Sequence, residues 1–258
     1  MLSVHQSGAK SANSSFTESV RKQGETNLQW VERHYPPKPD GQTVLLLIGG
    51  ADLISVRLRI AQSQARHDML PSYWSHVVIL KAAARNFRNT QLHEIRLDPP
   101  NGFGNPAKDN AIQTGRLSAY DDAERYPNIA ILKLDAVRTR VESQLRQMRG
   151  MRHVVSGVDG LVAWLPYVWG ATRASNPLLD EIGIPSAVMA EYALSGAGLD
   201  ITPGLASRAS CPEAIWQTMR WWHEYPGARG GTHDVSDEAF TERFSGSWTT
   251  PHSIVREG

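Results

Sequence analysis

Apolar residues fall in short dense runs separated by turn formers, and the densest, Val44 to Ile48, follows Thr43 and stops at Gly49-Gly50. That pattern predicts a buried strand. Leu53 to Ile60 alternates less cleanly, with Arg57 and Arg59 on one face, and reads as a strand passing into a helix before Asp68. Trp74 to Leu80 and Leu92 to Leu97 are the next two strands. In the second, Leu92, Glu94 and Arg96 share one face and His93, Ile95 and Leu97 the other. Asn128 to Leu134 is a further strand, with Asp135 placed to cap a helix over Ala136–Met148. Gly157 to Tyr167 is helical or mixed. The clearest helix is Ile184 to Ala197, where Ile184, Ala187, Val188, Leu194 and Ala197 keep helical spacing. Pro185 suits its first turn and Gly198 its stop. Pro212 to Trp222 reads as a second, shorter helix.

The remaining segments set the organisation. Residues 1–24 are rich in Ser, Gly, Asn, Gln and Lys without a sustained period, so residues 1–26 form an expected disordered arm. Tyr35 to Gly41 carries three prolines and reads as a linker, and Asp98 to Asn105 as a loop. One domain is expected over residues 27–226, followed by a loosely held tail over 227–258. Lys plus Arg (27) balances Asp plus Glu (26), so no global field argues for nucleic acid or an anionic membrane. Arg138, Arg140, Arg146, Arg149 and Arg152 cluster locally, at a spacing that suits the solvated side of a helix. The run Val44 to Ile48 is far short of the ~18 residues a membrane helix needs. The start lacks the basic and apolar regions of a secretory signal. The single cysteine excludes an internal disulfide and is comfortable in a reducing compartment, so the expected location is cytoplasmic.

Two residues stand out chemically. His76 follows Ser75 at the head of an apolar strand, where rigid backbone holds the ring as a general base requires. Glu94 lies on the next strand; if the two pair, its carboxylate can fix the tautomer of that ring. No His, Cys, Asp and Glu group has metal-ligand spacing, and Gly49-Gly50 and Gly102-Phe103-Gly104 are loop glycines, so neither metal nor cofactor is expected. Cys211 opens the helix at Pro212 and is a second nucleophile candidate, although a buried packing thiol is the plainer reading. Trp221 and Trp222 cannot both point inward from one helix, which leaves one of them for a cleft or a partner.

Asp52-Leu53-Ile54 ahead of Trp74-Ser75-His76-Val77, then Leu92-His93-Glu94-Ile95, resembles the circularly permuted NlpC/P60 group of papain-like cysteine hydrolases. The stretch from Ser186-Ala187-Val188-Met189-Ala190 to Ala197-Gly198 and Pro203-Gly204 extends the resemblance, which spans residues 45 to 220. It implies an α/β (α+β) fold, a central and mainly antiparallel sheet with packed helices. It also implies hydrolysis of amide, peptide or acyl-ester bonds, with a peptide, amide or lipid-ester substrate. His76 matches the base and Glu94 its orienting group. Counting back from Ala197-Gly198 sets the nucleophilic cysteine on or next to Ser186, and a slip of one residue reaches Pro185 or Ala187. Serine there departs from the family. It marks either an inactivated Cys→Ser form of an active enzyme or a natural serine; a third reading is a first-turn serine with no chemistry. Beside a thiol hydrolase, the alternative is a pseudoenzyme that binds a ligand or protein partner through the retained cleft.

Overall fold

The computed structural model describes residues 16–35, 41–97, 109–151, 157–171, 174–224, 244–250 and 252. The loop expected at 98–105, Arg152, and most of the tail from Gly227 lie outside the described residues. The architecture is mixed α/β: one seven-stranded, mostly antiparallel sheet and, among the described residues, six α-helices. The strands are β1 (Phe16–Glu18), β2 (Gln42–Gly49), β3 (His76–Leu80), β4 (Gln91–Glu94), β5 (Gln113–Arg116), β6 (Asn128–Val137) and β7 (Phe244–Trp248). They lie in the order β1-β7-β6-β2-β3-β4-β5, and only β1 and β7 run parallel. The helices are α1 (Asn27–His34), α2 (Leu53–Ala61), α3 (Arg138–Gly150), α4 (Gly157–Val168), α5 (Pro185–Gly196) and α6 (Pro212–Glu224).

The unbroken apolar run of β2 has its cause in the layers. Leu45 and Leu47 join Val77, Ile79, Ala130 and Leu132 in a core with α2 to α6, while Val44, Leu46 and Ile48 join Val78, Leu80 and Ile131 in a core with Trp30 and Val31 of α1. A strand covered on both faces has no position left for a polar side chain. The expected strands at Thr43 to Ile48 and Trp74 to Leu80 correspond to β2 and β3 and the helix at Ile184 to α5, whereas the strand expected over Leu92 to Leu97 is shorter, β4 ending at Glu94. Gly198 stops α5 at φ +93°, a conformation that favours glycine.

Four expectations are corrected. Leu53 to Ile60 is helical throughout: Asp52 caps α2, its carboxylate accepting from the Ser55 amide at 3.0 Å. The alternation of Arg57 and Arg59 misleads because Arg59 is buried, its guanidinium donating to the carbonyls of Ser72, Gly50 and His252. Asp135 is not a cap: β6 runs on to Val137 because Gln42 pairs with Val137 past a bulge, so α3 starts at Arg138. The arm over 1–26 is not wholly outside the fold, since Phe16–Glu18 is a strand and Thr26 forms a reciprocal capping box with Gln29 of α1. The tail over 227–258 likewise contributes β7, which lies between β1 and β6.

Inside the helical layer, Glu191 of α5 is 1% exposed and pairs with no cation among the described residues; Thr202 donates to it at 2.6 Å and Ser210 at 3.5 Å. Burial, reinforced by the charge of Asp200, pushes its carboxyl up to about 7. The folded state therefore holds this proton more tightly than the unfolded chain. The associated stability is complete below the ordinary carboxylate range and is lost as pH rises through 7. Glu191→Gln keeps the acceptor for Thr202 without the charge. It is expected to raise stability at pH 8 by about 2 kcal/mol and to change little at pH 4. Urea denaturation at the two pH values checks this, and equal effects at both would refute it.

Candidate functional site

The β3–β4 register sets Ile79 opposite His93 and Leu80 opposite Leu92. Because side chains alternate, Glu94 falls on the same face as Val78 and His76. The geometry follows: His76 Nε2 lies 3.3 Å from Glu94 Oε2, at the end of the sheet where β4 stops. A carboxylate only accepts hydrogen bonds, so Nε2 carries a hydrogen toward Glu94 and Nδ1 is the ring nitrogen that this bond leaves free. The same Glu94 oxygen accepts the hydroxyl of Tyr120. Arg96 stands over the Tyr120 ring at 5.9 Å. The three groups form one chain, His76–Glu94–Tyr120.

Tyr120 was not anticipated from the sequence. It ends a 3₁₀ turn, Leu117–Tyr120, whose position is set by tertiary contacts. Asn27, fully buried at the start of α1, donates through its side-chain amide to the carbonyls of Tyr120 at 2.8 Å and Tyr126 at 2.9 Å. Gly115 of β5, opposite Leu92, makes room for the carboxylate: a Cβ there would meet Glu94 Oε1 at 2.2 Å. The Glu94 carboxyl stays below its ordinary value. Burial pulls it up, but the bonds from His76 and Tyr120 and the charge of Arg96 outweigh that pull. Burial, reinforced by the neighbouring Glu94 charge, keeps the Tyr120 hydroxyl protonated well above its usual range.

His76 opens onto a pocket whose wall also includes Asp52, Ser55, Ser75, Arg96, Tyr120, Pro185 and Ser186. Each polar side chain of that wall has a structural tie. Ser75 Oγ donates to the Ile48 carbonyl at 3.2 Å and accepts from the Gly50 amide at 3.1 Å, closing the turn after β2. Asp52 is engaged by Ser55. Ser186, in the first turn of α5 and 1% exposed, accepts the Val77 amide at 3.2 Å. The β3–β4 pairing is confined to Ile79 and Leu80, so at Val77 the strand has no partner from β4 and the serine hydroxyl satisfies its buried N–H. Ser186 and His76 thus share one pocket, but among the described residues no hydrogen bond joins the hydroxyl to the ring.

Cys211 lies outside this pocket and is 3% exposed. Burial pushes its thiol up to about 12, which leaves almost no thiolate at neutral pH. It is the packing residue of the two readings. Of the tryptophan pair, Trp221 is 45% exposed and its ring packs edge-on against Trp222 beside Pro203 and Gln217. Among the described residues no group of His, Cys, Asp or Glu is arranged to hold a metal ion, and no helix is long and apolar enough to cross a membrane. The pocket offers a proton acceptor, a carboxylate that orients it and a short rim of hydrogen-bonding groups. No family model, curated protein or solved structure matches the chain.

Proposed function

We propose that this chain is a papain-like pseudoenzyme, a hydrolase-type pocket that binds an amide-, peptide- or ester-bearing ligand without cleaving it. The observation that carries the reading is the Ser186 hydroxyl, which accepts the Val77 amide at 3.2 Å and makes no hydrogen bond to the His76 ring. A serine is a poor nucleophile unless a base takes its proton, and that requires hydrogen-bond reach. The His76 ring, held at Nε2 by Glu94, leaves Nδ1 for a hydrogen bond to a ligand amide or hydroxyl. Arg96 and Tyr120 supply charge and hydrogen-bonding capacity on the same rim.

Small N-acetylated peptide amides and short acyl esters, added to the protein and followed by NMR, test this directly. Saturable shifts centred on His76, Tyr120 and the start of α5 are expected, with no product. Removing the ring in His76→Ala should weaken binding about tenfold, the cost of one lost hydrogen bond. Shifts centred elsewhere, or none with any ligand of these classes, would overturn the reading.

A second reading, a thiol hydrolase whose position 186 is meant for cysteine, is favoured by one observation. The His76–Glu94–Tyr120 chain orients a base more elaborately than binding requires. In that case Ser186→Cys should react with iodoacetamide at neutral pH faster than free cysteine, and the reaction should disappear when His76 is also replaced.

A further inference from the structure

The opposite face of β4 carries a second cluster that the pocket does not use. Strand parity puts Lys81, His93 and Thr114 on one face. Ile79 is opposite His93, His93 is opposite Thr114, and the Lys81 amide bonds the Gln91 carbonyl at 2.9 Å. The last turns of α3 lean onto this face, and the Arg149 guanidinium donates to Thr114 Oγ1 at 3.0 Å and lies 3.5 Å from His93 Nδ1. Lys81, Arg146 and Arg149 make no ion pair among the described residues. Among the described residues the buried Nε of Arg149 has no hydrogen-bond partner. Burial and the charges of Lys81, Arg149 and Arg146 press the buried His93 ring down to about 4, and among the described residues no carboxylate offsets them.

Cations at the end of a helix are partly offset by its dipole. The dipole does not supply an acceptor for a buried N–H, however, and three positive side chains around a neutral histidine repel one another. We infer that the face formed by Lys81, His93, Thr114, Arg146 and Arg149 binds a small phosphate-type oxyanion, as inorganic phosphate or a phosphomonoester. Such an ion presents acceptors in several directions, matching the fork of Arg149, the Thr114 hydroxyl and the Lys81 ammonium, which donates one of its three hydrogens to Gln91 Oε1 at 3.1 Å. The two donors in direct contact, Arg149 and Thr114, lie where the last turn of α3 meets β5, a compact site that favours a single oxyanion over a nucleic-acid strand.

The test is a titration of the 258-residue chain with inorganic phosphate and with phenyl phosphate, followed by NMR at the His93 ring and the Arg149 Nε–H. Sodium chloride at matched ionic strength serves as the control. A saturable shift at both probes is expected, weakened about tenfold or more in Arg149→Gln and in Arg146→Gln. Arg146 is solvent-exposed, so its replacement does not threaten folding. Arg208→Gln, which alters an exposed arginine paired with Glu181, should leave the curve unchanged. An absent or non-saturable shift, one reproduced by chloride, or one unaffected in both α3 variants overturns the site. Binding of a single-stranded oligonucleotide without binding of either phosphate would assign the face to a polyanion and overturn the small-oxyanion assignment.

Discussion

A chain beginning at Asn27 is expected to melt well below the 258-residue protein, having lost about 3 kcal/mol or more of stability. The loss starts at Phe16, whose buried ring packs against Trp216 at 5.2 Å, Trp248 at 4.7 Å and His223 at 5.6 Å between centroids. Deleting it opens a cavity and strips β7 of its outer neighbour, because Phe16 pairs with Gly246 and Glu18 with Trp248. The indole N–H of the fully buried Trp30 also loses its acceptor, the Ser19 carbonyl at 3.1 Å, and α1 loses its cap at Thr26. Each uncapped or unsatisfied group adds about 1 kcal/mol. Thermal and urea unfolding measure the total. Unchanged melting after truncation would mean that β1 contributes nothing and that the polar composition of the arm was the better guide.

The second large effect is expected at the centre of the pocket. Glu94→Ala should cost about 3 kcal/mol at pH 7, because the buried Tyr120 hydroxyl and the His76 ring both lose the acceptor they share. Tyr120→Phe removes one donor and should cost about 1 kcal/mol. The pH dependence separates electrostatics from packing. The Glu94 carboxyl lies below its unfolded value, so its stabilisation is complete above the ordinary carboxylate range and fades as pH falls through the folded value. The gap between the parent protein and Glu94→Ala should therefore narrow below pH 4. A gap that stays constant from pH 7 to pH 3 would assign the loss to packing and remove the hydrogen-bonded carboxylate from the account.

Much of this arrangement can be read in the sequence, for reasons that differ by element. β2 and α5 declare themselves because one is apolar throughout and the other keeps helical spacing between Pro185 and Gly198. His76 and Glu94 are legible as a pair because strand parity puts them on one face as soon as β3 and β4 are neighbours. β1 and β7 escape detection. Phe16-Thr17-Glu18 is too short to show a period, and Phe244 to Trp248 is built on small residues. Its Gly246 is required because a Cβ there would lie 2.8 Å from the Ile131 carbonyl and 2.9 Å from the Phe16 ring. Tyr120 is invisible to local pattern, since Asn27, far away in sequence, fixes the turn that carries it. The helix start at Ser186 is legible, but the engagement of its hydroxyl with Val77 depends on where β4 leaves the sheet. The reversal at Arg59 follows the same logic: a buried cation bonded to three carbonyls imitates an exposed position of a strand.

The proposed function rests on whether Ser186 is an activated nucleophile. The most direct measurement is reaction of the unaltered protein and of His76→Ala with a fluorophosphonate, which phosphonylates a serine only when a neighbouring base removes its proton. Intact mass and peptide mapping then give the site and the extent. A hydroxyl satisfied by the Val77 amide and out of hydrogen-bond contact with His76 predicts no adduct at Ser186 in either protein, together with saturable ligand binding in the unaltered one. Rapid phosphonylation of Ser186 that vanishes in His76→Ala would contradict it, and would make this chain a serine hydrolase built on the same pocket.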